Sequence, residues 1–562
     1  MWFQKIFAAL TKKERITFVL ASAGTIVSFV VVMGIVIAQT TKAVPAAGGE
    51  YTEGMLGQPE YINPVIASSQ TDLDLVKMVY SSLPDISDSI TPSPDLKTWD
   101  VRLKQGLTWQ DGQQLTSDDV IFTVQSIQNP DADSPLSESW QGVAVNRVSE
   151  LELQFTLTKP YAFFGDTLDN LYILPKHLFA DTPPGNWHLS DYNLKPVGSG
   201  PYEFISYNKN SDGVISSYQL QAWDGTIEAH PLIKNFNFDF FSDETSLVQS
   251  FNNGTIDGFG NVTPADIAEI TRPDGTYAWP TSAYYAVFFN QSVNLGLQDP
   301  AVRAALSASV DRTALVNAAL GGNGTPEYGP IPQGAQYYNS ALSSDTVASG
   351  ISSGTPSAAS STSFAENLLN NAGWTITGSS TFRSKTIGGV SIPLVVNLTV
   401  PQIDFLANTA SYLQTAWQAI GVQVNVIPDS SNNIVNNLIP ARNYESLLFG
   451  NVLGPSSDLY SFWDSSQDFA PGLNLSLYNN PHVDSLVEQA RQTPISSSTA
   501  QELATAQSDI VANYPAIFLY SPDYVYVTNK NTQGITTGLL TDPSDRFREI
   551  ESWYLNTARV LK

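Results

Sequence analysis

At 562 residues the chain is too long for one hydrophobic core, because single cores stop growing beyond roughly 250–300 residues, so two or more packed lobes are expected. Hydrophobic residues make up 42% and charged residues only 14%, which excludes a largely disordered chain. A net charge of −26 sets aside nucleic acid and anionic lipid surfaces as partners, and the lack of cysteine excludes disulfides, thiolate metal sites and a lipid-modified N-terminal cysteine.

The first element is an uncharged apolar run over 16–38, long enough at ~1.5 Å per residue to cross a hydrocarbon core of ~30 Å. Lys5, Lys12, Lys13 and Arg15 precede it, so the positive-inside bias keeps residues 1–15 cytoplasmic and sends everything after 38 out of the cytoplasm. A cleaved signal sequence is the alternative, but signal apolar regions run only about 7–15 residues, which favours a retained single-pass anchor. Residues 39–50 (QTTKAVPAAGGE) are small, polar and Pro/Gly-bearing, the composition of a flexible stalk, with folding expected from Tyr51 onward.

Short alternating strands and amphipathic helices follow, an α/β pattern. Thr116 with Asp119 three residues on predicts a helix N-terminus, and Val120, Val124 and Ile127 form its apolar stripe. Leu151, Leu153, Phe155 and Leu157 share one face of a strand. Asp299 and Pro300 open one helix through Val302, Leu306 and Val310, closing near Gly321 and Gly322. A helix over 404–420 stops at Gly421 and passes into a strand carrying Val422, Val424 and Val426. The Ser/Gly-rich stretch 339–363 reads as a mobile surface loop.

Eight segments then occur in a characteristic order: PEYINP at 59–64, WDVRLKQGLTWQDGQQLTSDDVIFT at 99–123, PVGSGPYEF at 196–204, FNNGTIDGF at 251–259, YYAVFFN with DPAVRAALSASVDRTALV between 284 and 316, AENLLNNAGW at 365–374, the Trp417 helix ending in AIGVQVNV, and NYPAIFLY at 513–520. In this order they resemble the family 5 extracellular solute-binding proteins, the peptide, nickel and opine class that serves ABC importers. The resemblance implies a two-lobed, Venus-flytrap architecture of the periplasmic-binding-protein type II: lobe one from 51–85, 195–285 and 521–562, an inserted subdomain over 86–194, and lobe two over 286–520. It also implies a non-enzymatic, monomeric protein that captures a peptide or other small solute and hands it to permease subunits.

Carried over by motif, the ligand-lining candidates are Glu60, Tyr61 and Asn63 of the PEYINP loop, Tyr285 and Asn290 of the crossover, and Asn451, Asp458, Tyr460 and Trp463. Core packing is the alternative for Tyr285, Tyr460 and Trp463, and side-chain-to-backbone turn bonds for Asn63 and Asn290. Relatives that bind free peptides carry an acid just after a Gly-Trp pair; here Gly450 is followed by Asn451, and Gly454 or Pro455 stands where the acid is expected, leaving Asp458 as a shifted candidate for the ligand amine.

Enzymatic motifs are weak. The four histidines, His177, His188, His230 and His482, show no zinc-hydrolase spacing, and Gly198-Ser199-Gly200 is too short for a nucleophile elbow and fits a tight turn. No catalytic residue, metal site or cofactor is read. A surface-tethered hydrolase of peptides or glycans and a surface adhesion protein are the alternative classes.

Overall fold

The computed structural model describes residues 11–226, 230–342 and 358–561. It opens on a helix, Lys12–Thr40, in which Lys12–Ile35 is long and apolar enough to cross a membrane and buries none of that stretch against the rest of the chain. The segment expected as a flexible stalk is instead ordered as a strand: Thr41–Ala46 pairs antiparallel with Asn556–Leu561. Local composition cannot reveal a partner strand at the other end of the chain, and here the backbone ladder supplies the order that the small side chains do not.

Twelve strands form one continuous mixed sheet whose pivot is the strand Ala516–Asn529. Its residues 516–520 pair with Ala283–Phe289, and its residues 523–529 pair with Asp274–Pro280. From Ala283–Phe289 the sheet continues through Ser446–Val452 and Val395–Pro401 to Gln423–Asp429. In the other direction it runs from Ala516–Asn529 through Gly258–Gly260, Glu50–Leu56, Asn235–Phe241 and Ile215–Ala222 to Tyr202–Lys209. One strand thus belongs to two lobes.

Each lobe buries both faces of its half-sheet. Along Ala283–Phe289, Tyr284, Ala286 and Phe288 enter a core with Trp463 and Phe518, while Val287 and Phe289 enter another with Leu306, Trp374 and Trp417. Two-sided burial explains why YYAVFFN is an unbroken apolar run rather than an alternating one. Tyr51, Phe236, Trp279 and Trp553 anchor the core of lobe one. On that lobe sits a four-stranded antiparallel sheet, with Ser87–Pro92, Thr98–Leu103, Glu152–Thr156 and Ala144–Ser149 in spatial order, covered by the helix Ser117–Ile127.

Local signals were informative where capping chemistry set them. Thr116 and Asp119 form a reciprocal capping box, and Gly421, with φ +83°, ends the helix Asp404–Ala419. The single helix expected from Asp299 to Gly321 is two, Pro300–Ala308 and Arg312–Leu320, because the Asp311 carboxylate accepts from the Ala314 N–H and starts a new helix. Most of the Ser-rich stretch 339–363 lies outside the described residues; its edges are the turn Ser340–Leu342 and the start of the helix Ala358–Asn371.

One buried acid carries a stability consequence. Glu327 is fully buried in lobe two; its Oε1 accepts from the Gln333 N–H at 2.7 Å and its Oε2 has no partner among the described residues. Burial pushes this carboxyl up to about 8. A raised acid binds its proton in the folded state first, so its contribution is full below the unfolded value of 4.5 and is lost as pH rises through about 8. Glu327→Gln keeps the acceptor for Gln333 and removes the titration. Thermal denaturation should show the wild-type midpoint falling between pH 5 and 9 relative to that of the variant; parallel pH curves would contradict this assignment.

Candidate ligand cleft

Both lobes point the carboxyl ends of their parallel strands at the crossing. In lobe one these are Leu56, Phe241 and Gly260; in lobe two they are Pro401, Asp429 and Val452. Ligands of α/β sheets sit outside such ends, where loops rather than ladders present polar groups. The connections between lobes are bonded to each other: Thr281 Oγ1 donates to the Pro522 carbonyl at 2.7 Å, and Ser521 Oγ donates to the Thr281 carbonyl at 2.9 Å. Two adjacent crossings between lobes are the geometry of a hinge, here flanked by the strand Gly324–Pro326, which pairs with residues 520–522.

The PEYINP loop follows the end of Glu50–Leu56 and is held from below. Asp72 Oδ1 accepts the N–H groups of Glu60 at 2.8 Å and Tyr61 at 3.0 Å, from the first turn of the helix Gln70–Val79. Glu60 is exposed and the Tyr61 ring meets His188 edge-on at 4.9 Å. Asn63 is buried; its Oδ1 accepts from the Val65 N–H at 3.0 Å, a turn bond, and its Nδ2 has no partner among the described residues.

The lobe-two candidates separate. Tyr285 packs between Phe405 and Tyr520, over Gly450, where a Cβ would sit 2.8 Å from its ring. Asn451 lies at the cleft end of its strand but is buried, and its Nδ2 donates to Tyr284 Oη at 2.8 Å. Asn290 follows the far end of Ala283–Phe289, roughly 20 Å from the crossing at ~3.3 Å per residue, and donates to the Arg442 carbonyl. It is a turn residue remote from the cleft. Trp463 is fully buried in the core against Phe518.

Asp458 is already committed. Arg491 Nε lies 3.0 Å from its Oδ2, the Tyr161 hydroxyl donates to it at 3.2 Å, and the Tyr460 N–H donates to Oδ1 at 3.1 Å. The Arg491 guanidinium is sandwiched over the rings of Tyr161 at 4.6 Å and Tyr460 at 4.3 Å. A second contact lies beside it: Ser456 donates its N–H at 2.8 Å and its hydroxyl at 2.7 Å to Asp166. Tyr161 and Asp166 belong to the smaller body on lobe one, so Asp458 serves to join lobe two to it rather than to face a ligand amine.

Space remains on both sides of this junction. A 390 Å³ cavity lies where Pro455 faces Lys77, Tyr172, Ser199, Trp223 and Arg548 of lobe one and its insertion. Another, of 550 Å³, lies between Gln141, Tyr161, Tyr460 and Arg491. The wall of the first is shaped by two glycines: a Cβ at Gly198 would sit 1.9 Å from the Val79 carbonyl oxygen and one at Gly200 2.8 Å from that of Tyr80. Glycine is required here by backbone contact rather than by the turn expected from the sequence. Gln110, in the Trp-Gln-Asp-Gly turn, clamps the same segment, accepting from the Gly198 N–H at 2.8 Å and donating to the Tyr202 carbonyl at 2.8 Å.

The junction and the cavity wall, built by Tyr161, Asp166, Arg491, Ser199 and Arg548, were not singled out as ligand contacts in the sequence. Their partners are far away in the chain, and no spacing rule links them.

The sequence matches the profile of bacterial extracellular solute-binding proteins, family 5 (middle), over residues 80–470. The chain belongs to that family. It is a solute-binding protein and not an enzyme. Its similarity to the oligopeptide-binding protein AppA of Bacillus subtilis is 24% identity over 534 residues, 92% of this chain and 94% of AppA. Protein XP55 of Streptomyces lividans is 25% identical over 509 residues, covering 86% of each chain.

Among solved structures, the ABC transporter substrate-binding protein CtaP of Listeria monocytogenes superposes with a TM-score of 0.74 at 24% identity, over 91% of this chain and 99% of that one. AppA of Bacillus subtilis, solved in complex with a nonapeptide, gives 0.67 at 24% identity over 91% and 100%. This family 5 chain therefore has the two-lobed type II binding-protein fold.

Proposed function

We propose that the chain is a membrane-tethered, extracytoplasmic receptor that captures peptides between its lobes and delivers them to the permease subunits of an ABC importer, acting as a monomer. The observation that carries this is the placement of a half-open polar and aromatic cavity where Pro455, just past the strand Ser446–Val452 of lobe two, faces lobe one and its insertion. Its likeness to AppA over nearly its whole length supports a peptide as the solute. Closure around an extended peptide lets backbone groups and trapped water do the holding, so side chains can vary.

The helix Lys12–Thr40 supports the tether: it exposes its apolar surface, and Lys12, Lys13 and Arg15 flank its cytoplasmic end. Pairing of Thr41–Ala46 with Asn556–Leu561 would then hold lobe one close to the bilayer instead of on a loose stalk.

The test is a thermal-shift series on the full chain in detergent with a random tetrapeptide pool, followed by mass spectrometry of the peptides. A ligand bound only to the folded state raises the midpoint, by about 2.7 kcal/mol of stability at 100 times Kd. A concentration-dependent rise with every peptide recovered intact is expected. No shift at millimolar pool, or cleavage of the peptides, would overturn the proposal.

A further inference from the structure

We infer, building on the membrane-tethered reading, that the ribbon formed by Thr41–Ala46 and Asn556–Leu561 is a second membrane contact: Val560 and Leu561 enter the outer headgroup layer, and Lys42 and Arg559 face lipid phosphates. Lobe one is then held to the bilayer at two neighbouring points rather than at one.

The placement follows from lengths. The apolar run at 16–38 has 23 residues, about 35 Å at ~1.5 Å per residue, against a hydrocarbon core of ~30 Å, so Ala38 stands at the outer edge of that core. The helix continues to Thr40 and the ribbon begins at the next residue. Thr41, three residues past Ala38, is about 4.5 Å further out, inside a headgroup layer roughly 5–7 Å deep. Leu561 is the residue paired with Thr41, and Val560 is paired with Lys42. Paired Cα atoms lie only about 4.5–5.5 Å apart, so the returning strand reaches the depth of the helix exit.

The surface of the ribbon suits that layer. Leu561 is 80% exposed and Val560 40%, and every residue of Asn556–Leu561 is exposed, so no core of the chain covers this strand. Two strands alone are marginal in water, and apolar side chains at their end gain by leaving it.

Charge gives an independent argument. Segments 39–49 and 552–561 hold Lys42 and Arg559 and no acid, in a chain whose net charge is −26. That net charge keeps the lobes off an anionic surface, and the ribbon is the local exception. Neither cation has an ion pair among the described residues. Arg559 Nε donates to Thr41 Oγ1 at 2.9 Å, which holds the guanidinium beside the helix exit and leaves its other N–H groups for phosphate oxygens.

The chain has no cysteine, so single nitroxides can be placed at Leu561→Cys, at Val27→Cys in the middle of the helix and, as the water reference, at Ile427→Cys on the outermost strand of lobe two. The full chain is reconstituted in nanodiscs of phosphatidylcholine with phosphatidylglycerol. Power saturation then compares each label's collisions with oxygen, which dissolves in lipid, and with a nickel chelate, which stays in water. The oxygen-to-nickel ratio should be highest at position 27, lowest at position 427, and severalfold above the latter at position 561. Charge reversal, Lys42→Glu with Arg559→Glu, should lower the ratio at position 561 towards that at 427 and leave the ratio at 27 unchanged. A label at position 561 as wet as the one at 427, beside a lipid-immersed one at 27, overturns this inference and leaves the tether standing. A label at 561 that does not respond to charge reversal overturns the phosphate contact. A wet label at position 27 removes the tether and the inference with it.

Discussion

Arg546→Met should destabilise lobe one by about 3–5 kcal/mol, the cost of breaking a buried ion pair from one side. The Arg546 side chain is 2% exposed and grips two fully buried acids: it donates to both Asp74 carboxylate oxygens and to Glu53 Oε1 at 3.2 Å. The network extends through Tyr526, whose hydroxyl donates to Glu53 Oε2 at 2.6 Å, to Tyr51. Removing the cation leaves two carboxylates in a site where burial already raises both, even against Arg546. Their folded-state values would climb further, so the variant binds protons that the wild type does not, and its deficit should shrink as the pH is lowered from 8 to 5. Urea denaturation at both pH values measures this. A triple variant adding Glu53→Met and Asp74→Leu should recover most of the loss, because an apolar set needs no compensation. A loss below 1 kcal/mol in the single variant would show that the acids are not confined as described.

Gly198→Ala should cost about 3 kcal/mol, the upper end of overpacking penalties, and should abolish ligand binding. The added Cβ would sit 1.9 Å from the Val79 carbonyl oxygen and 2.7 Å from its carbon. These are backbone atoms at the end of the helix Gln70–Val79, so no rotamer change relieves the contact. The strand entry at 198–202 must move, breaking the Gln110 clamp and displacing Ser199 from the cavity wall. Gly538→Ala is the control: its Cβ would have nothing within 4 Å, so its midpoint and binding should match the wild type. Equal behaviour of the two alanine variants would contradict the close approach.

The parts of the fold that were legible in the sequence are those whose cause is local. Thr116 with Asp119 fixed a helix start, Gly421 a helix end, and the unbroken apolar run at 284–289 fits a strand covered on both faces. The split at Asp311 was overlooked although its capping signal is local, because the i, i+4 apolar pattern continues across it.

Candidate site residues fared less well, for a geometric reason. A motif places a residue on a strand but not at a particular end of it, and Asn290 proved to sit at the end away from the hinge. Asp458 was legible as an acid near the cleft, but its commitment depends on Arg491, on the helix Pro481–Gln492 of the same lobe, and on Tyr161 across the junction. The strand at 41–46 likewise depends on the chain's opposite terminus.

The central claim is that two halves of one sheet hinge together around a peptide. The chain has no cysteine, so Ile205→Cys and Ile427→Cys, both exposed and on the sheet's two outermost strands, place one nitroxide on each lobe without background. Double electron–electron resonance on the full chain should give a broad distance distribution without ligand and a shorter, narrower one with saturating tetrapeptide pool. An identical distribution in both conditions would contradict the account.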